Sequence, residues 1–158
     1  MSVDERMVHD IVQKVMANMQ ISGSVSGMHG VFKDMNDAIN ASIEAQKKVC
    51  TMTLDQREQI ISLIRKKTHE NAEILANMGV NETGMGNVGD KILKHHLTAD
   101  KVPGTEDIST IAWSGDRGLT LVEMGPFGVI GAITPATNPS ETVICNCIGM
   151  LAGGNTVV

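Results

Sequence analysis

The sequence is poor in aromatic residues. It holds one Trp, two Phe and no Tyr among 158 residues. That removes the stacked aromatic platforms that bind single-stranded nucleic acid. It also means the core is built from aliphatics and methionine, of which there are 11. No excess of basic residues is present; the net charge of −5 argues against nonspecific nucleic-acid binding. Cysteines number three, too few for a disulfide scaffold, and no uninterrupted apolar run at the start reads as a secretory signal. These absences, with 42% apolar residues, predict a soluble, cytoplasmic protein with no membrane span.

What is present is concentrated at the far end. Phe127 to Ile133 is apolar apart from two glycines, which predicts a strand buried on both faces. Thr134-Pro-Ala-Thr-Asn-Pro139 breaks it, because proline lacks an N–H, fixes φ and restricts the residue before it. Pro139 suits the first turn of a helix, with Asn138 as candidate N-cap. Val143, Ile144, Cys147, Ile148 and Leu151 then recur at helical steps, and Gly153-Gly154 ends the helix. Asn155 to Val158 reads as a second strand. Strand, helix and strand of this length predict a crossover onto a parallel sheet, with ligands held outside the carboxyl ends of the strands, at Thr134–Asn138. Gly125, Gly128 and Gly131 are spaced G-x-x-G-x-x-G and lie before and within the strand. They do not form the G-x-G-x-x-G fingerprint, and close backbone packing accounts for them better.

The middle of the chain reads as helices. Asp34 is the candidate N-cap of a helix ending near Lys47-Lys48. Thr53 or Asp55 opens a longer one, with Gly79 as its first exit and Asn81–Gly84 continuing it. Asp90 to Leu97 forms a third, with His95 and His96 near its C-terminus. Adjacent histidines cannot share one helical face, so the pair is expected to interact with the helix dipole and to hold no metal. Lys101–Gly104 is a turn, and Arg117 to Glu123 reads as a strand. Cys50, Cys145 and Cys147 have no zinc spacing and are expected to be small buried packing residues.

The front is a separate object. Met7, Val8, Ile11, Val12, Val15, Met16 and Met19 form one helical stripe within residues 4–19, and Ser22–Gly27 has the composition of a flexible linker. A short amphipathic helix on such a tether wants a partner groove. It is similar to the encapsulation peptides that direct enzymes into bacterial microcompartments by docking on shell or cargo helices. Packing on its own domain or in a coiled-coil contact is the alternative.

Gly128-Val-Ile-Gly-Ala-Ile-Thr-Pro-Ala-Thr-Asn-Pro-Ser-Glu-Thr-Val143, with Gly154-Asn-Thr-Val-Val158, resembles the aldehyde dehydrogenase superfamily. Most members read Pro-Trp-Asn-Phe-Pro at the turn. Pro135-Ala-Thr-Asn-Pro139 is similar to the CoA-acylating branch, the acetaldehyde and propionaldehyde dehydrogenases of ethanolamine and propanediol breakdown. Asn81–Gly84 and Ala112–Glu123 agree with it.

The resemblance implies an α/β fold: N-terminal helices followed by the start of a Rossmann-like parallel sheet, incomplete in this chain. It implies four segments: a targeting helix at 1–20, a linker at 21–30, helices plus an oligomerisation-type strand at 31–124, and the first part of an NAD-binding domain at 125–158. Leu119, Leu121 and Met124 are then expected to face another subunit. Family members attack a short aldehyde with a cysteine thiolate, pass hydride to NAD and transfer the acyl group to coenzyme A. Asn138 matches the asparagine that donates to the developing oxyanion, a contribution of roughly 3–4 kcal/mol to the barrier. Ile133, Thr134, Pro135, Ala136 and Thr137 match the turn against the nicotinamide. Thr137 stands where most relatives have tryptophan, so the acyl channel is expected to differ there.

The family's nucleophilic cysteine and its general-base glutamate match no position here, so the 158 residues alone are expected to be inactive. A homo-oligomer is implied. The alternatives are a noncatalytic targeting or subunit-interaction fragment, and a piece of a bifunctional aldehyde–alcohol dehydrogenase.

Overall fold

A computed structural model describes residues 30–158. The expected targeting helix at 4–19 and the Ser22–Gly27 linker lie outside the described residues. The chain divides into two units at Ala41 and Ser42. The described part of the first holds the start of helix α1 (Met35–Val49). As expected, Asp34 caps that helix: its Oδ1 accepts from the N–H of Asn36 at 2.8 Å and of Asp37 at 3.4 Å.

The second unit contains the rest of α1, helices α2 (Leu54–Thr83), α3 (Val88–Lys101) and α4 (Pro139–Ala152), and strands β1 (Ile111–Gly115), β2 (Gly118–Val122), β3 (Val129–Ile130) and β4 (Thr156–Val157). Helix α2 opens on a capping box: Thr53 Oγ1 accepts from Gln56 N–H at 3.2 Å, and Gln56 Oε1 accepts from Thr53 N–H at 3.0 Å. The expected exit at Gly79 does not occur. The helix passes through it and stops at Gly84, whose φ of 66° is the left-handed conformation glycine adopts without strain. Helix α3 is longer than predicted. Asn87 caps it, accepting from Asp90 N–H at 2.9 Å, so Asp90 sits in its first turn instead of opening it.

Two arginines of α2 tie α3 and α4 to it. Arg57 Nη1 donates to Ala152 O at 2.8 Å at the end of α4. Arg65 donates to the carbonyls of Ala99 and Val102 at the end of α3. Each cation satisfies carbonyls that a helix C-terminus leaves without partners, at the end where the dipole favours positive charge. Ile61, Ile148 and Ala152 form the buried core between α2 and α4, with Ile64, Val102, Ile108, Ile144 and Leu151 packed around them.

The strand after Gly125 is shorter than predicted. β3 pairs in parallel with β4, as a crossover requires, over only two residues on each side. The ladder extends one step further, with Ala132 N–H donating to Val158 O at 2.8 Å. The expectation of a strand buried on both faces fails: Phe127 is 95% and Ile133 97% exposed. Among the described residues β3 has one neighbouring strand, so nothing covers these side chains. Asn155, buried at the start of β4, fixes the entry to β3, its Oδ1 accepting from the N–H of Phe127 at 2.6 Å and of Gly128 at 2.9 Å. Gly154 at φ 78°, rather than Gly153, supplies the left-handed residue between α4 and β4.

The expected strand at 117–123 is β2. It has an antiparallel partner that the sequence did not disclose, β1, in the register Ile111↔Val122 to Gly115↔Gly118. All ten strand residues of this hairpin are exposed. No helix among the described residues is long and apolar enough to cross a membrane.

Candidate functional site

The turn from Ile133 to Asn138 leaves the carboxyl end of β3 and enters α4. Ile133, Thr134, Pro135, Ala136 and Thr137 are all exposed, and their side chains are small or apolar and uncharged. Asn138 is half-buried at the N-cap position of α4, and its carbonyl accepts the first helical bond from Thr142 N–H at 3.1 Å.

Its side chain does not cap the helix. Asn138 Oδ1 instead accepts from Lys94 Nζ on α3 at 3.1 Å. A lysine ammonium can only donate, so the amide oxygen must be the atom that faces it. The amide nitrogen then points the other way. Among the described residues its two protons meet no acceptor. The N-cap role that local pattern suggests for Asn138 is therefore filled by its backbone alone.

Beneath the turn lies a buried polar cluster. Lys91 on α3 is 4% exposed and Glu141 in the first turn of α4 is 5% exposed. Lys91 Nζ donates to Thr137 O at 2.6 Å and stands 3.8 Å from Glu141 Oε1. The second distance is too long for a hydrogen bond, so the pair is held by Coulomb attraction, with the α4 dipole also favouring the carboxylate.

His95 is fully buried, not at the dipole end as its position suggested. Its Nδ1 lies 2.7 Å from Lys91 O and its Nε2 2.9 Å from Ser140 Oγ. A carbonyl only accepts, so Nδ1 carries a proton. Ser140 Oγ is also 3.2 Å from Glu141 Oε2. Helix α3 thus grips the turn through its backbone at Thr137, through Ser140 and Glu141 in the first turn of α4, and through the side chain of Asn138.

Cys145 and Cys147 lie on α4, partly buried. Burial pushes the Cys145 and Cys147 thiols above their ordinary value. For Cys145, a hydrogen bond with Thr98 works against this and the charge of Glu141 adds to it. A raised value disfavours the thiolate that a nucleophile needs. Both are partly buried, in keeping with packing, but Cys50 is exposed at the end of α1 and corrects the expectation that all three pack inside. His96 stacks on His69 with ring centroids 4.8 Å apart, and His69 Nε2 contacts Asp100 Oδ1 at 2.8 Å. No group of acidic, histidine or cysteine side chains among the described residues is arranged to hold a metal ion.

Lys91, Lys94, Ser140 and Glu141 escaped the sequence reading. Lys91, Lys94 and His95 are spaced i, i+3, i+4 and so share one face of α3. That spacing was visible. That this face lies under a turn more than 40 residues further on was not, and only the packing reveals it.

A parallel strand pair joined by a crossover helix, with a turn at the strand's carboxyl end, is the arrangement of a parallel α/β sheet. The sequence pattern of the aldehyde dehydrogenase family matches residues 13–158, and the chain belongs to that family. It is 45% identical over 163 aligned residues to an acetaldehyde dehydrogenase (acetylating) of Bilophila wadsworthia, covering 98% of this chain and 33% of the relative. The fold is similar to that of a propionaldehyde dehydrogenase from the Clostridium phytofermentans fucose utilisation bacterial microcompartment, with TM-score 0.78 and 77% identity over 81% of this chain and 29% of that one. It is also similar to a Rhodopseudomonas palustris propionaldehyde dehydrogenase solved with bound propionyl-CoA, with TM-score 0.77 and 45% identity over 86% of this chain and 32% of the other. The chain spans about a third of the length of the curated relative.

Proposed function

We propose that these residues are the N-terminal part of an NAD-dependent, CoA-acylating aldehyde dehydrogenase acting on acetaldehyde or propionaldehyde. The observation that carries the reading is the Asn138 side chain at the carboxyl end of β3, with its oxygen held by Lys94 and its NH2 group without an acceptor among the described residues. In this reading a cysteine thiolate from another part of the enzyme adds to the aldehyde carbon, and the carbonyl oxygen becomes an oxyanion. Asn138 Nδ2–H donates to that oxygen as its charge develops, when the bond is worth most. Collapse of the thiohemiacetal expels a hydride and leaves a thioester, from which the coenzyme A thiol takes the acyl group and frees the cysteine.

The exposed turn Ile133–Thr137 fits a nicotinamide: it is open, uncharged and made of side chains that let a flat ring approach. When bound, that cofactor supplies the hydride acceptor. Thr137 and Ile133 would orient it, and the absence of a G-x-G-x-x-G turn means its pyrophosphate is held in another way.

The test is NAD reduction by the full-length polypeptide that contains these residues, with aldehyde and CoA. Asn138→Ala is expected to lower kcat by roughly 10²–10³-fold. An unchanged kcat contradicts the assignment. The 158-residue chain alone is expected to form no NADH, and turnover by it would refute the fragment reading.

The apolar stripe of residues 4–19 supports docking inside a microcompartment, in line with the source of one structural neighbour. Residues 1–27 fused to a fluorescent protein are expected to give puncta in compartment-forming cells, and diffuse signal counts against it.

A further inference from the structure

Lys94 is an exposed lysine, and among the described residues it pairs with no carboxylate. Its ammonium donates to the side-chain oxygen of Asn138 at 3.1 Å. One helical turn earlier on the same face, Lys91 holds the carbonyl of Thr137, the residue just before Asn138, at 2.6 Å. Two ammonium groups of α3 thus engage adjacent residues of the turn, one by the backbone and one by the side chain. Lys91 is buried and fixes where the turn lies. Lys94 meets an amide that has two orientations to choose between and leaves it only one.

We propose that Lys94 is a positioning residue that presets the Asn138 amide as a hydrogen-bond donor to the reacting oxygen. The inference rests on the oxyanion reading of Asn138 given above. Without Lys94, the amide can rotate to place its oxygen where the oxyanion forms, and an acceptor there repels the charge. With Lys94, that rotation would set an NH2 group against an ammonium, donor against donor. The ammonium also draws electron density toward Oδ1. That polarises the amide and strengthens its N–H as a donor, because hydrogen bonds in a chain reinforce one another. Neither effect requires Lys94 to touch substrate.

The experiment is a double-mutant cycle in the full-length polypeptide, reading the first-turnover rate of NADH formation and the KM for NAD. Lys94→Met is expected to lower that rate by roughly tenfold, the size of one lost charge-assisted hydrogen bond, and to leave KM unchanged. Lys94→Arg keeps a donor-only cation and is expected to restore most of the rate. In the Asn138→Ala background, Lys94→Met is expected to have no further effect. Since Lys94 is exposed, thermal melts should match wild type and remove misfolding as a cause. The positioning role is overturned if Asn138→Ala is slow while Lys94→Met stays within about twofold of wild type, or if the two losses multiply. If Asn138→Ala itself keeps the wild-type rate, the oxyanion reading has failed, and the role of Lys94 with it.

Discussion

The turn before α4 and the β1–β2 hairpin lie close in sequence and are held in opposite ways. The hairpin has its own ladder and little else: Trp113, Leu119 and Leu121 are exposed, and so is every other residue of its two strands. The turn has no ladder at all. Side chains from another helix hold it, two of them nearly or fully buried: Lys91 on Thr137 O, His95 on Ser140, and Lys94 on Asn138. The turn is held from within the chain, by one face of α3. The hairpin leaves apolar side chains that no described residue covers.

Breaking the support of the turn should have the largest effect. Lys91→Met removes the cation beside Glu141 and leaves a buried carboxylate without a counter-charge, a change that typically costs about 3–5 kcal/mol. Denaturant unfolding of the full-length polypeptide reads this directly. Adding Glu141→Gln should recover much of the loss, and no recovery would mean that the Thr137 bond, not the charge pair, is what matters.

The hairpin should respond in the opposite sense. Leu121→Lys places a charge on an already exposed position and should change subunit stability by no more than about 0.5 kcal/mol. If the strand is an oligomerisation surface, as the resemblance implies, the same change should shift the sedimentation profile toward smaller species. An unaltered profile would separate the hairpin from assembly.

The smallest effect is electrostatic and lies at the junction that follows α3. Glu106 accepts from Gly104 N–H at 2.9 Å, and that bond, with one from its own N–H, holds its carboxyl below the ordinary value of 4.5. A depressed folded-state value means the unfolded chain binds the proton first as pH falls. The contribution is complete above about 4.5 and is lost as pH drops through the folded value. Glu106 is well exposed, so solvent screens the effect. Glu106→Gln should lower the neutral-pH plateau of a Tm–pH profile slightly and leave its acid end alone, so that the acid limb flattens. A steeper acid limb would reverse the sign.

What the sequence disclosed follows the range of the forces involved. Asp34, Thr53 and the Pro139 start of α4 were legible because capping and proline geometry are local. The parallel pairing of β3 with β4 was legible from the length of the crossover. Gly79 misled because a glycine inside a well-packed helix can be carried by its neighbours; it is buried on α2. His95 misled because helix position alone does not say what packs against it. Asn138 was singled out through the surrounding motif, since cap chemistry alone assigned it a different task. Lys91 and Lys94 were illegible as partners of the turn, since each contact spans more than 40 residues of chain.

The most direct test of the account is Asn138→Asp in the full-length polypeptide. Aspartate keeps the shape of asparagine and should keep, even strengthen, the contact with Lys94, while its carboxylate has no proton to donate. The account predicts wild-type thermal stability together with a first-turnover rate of NADH formation as low as that of Asn138→Ala. Retention of the wild-type rate by Asn138→Asp would contradict it.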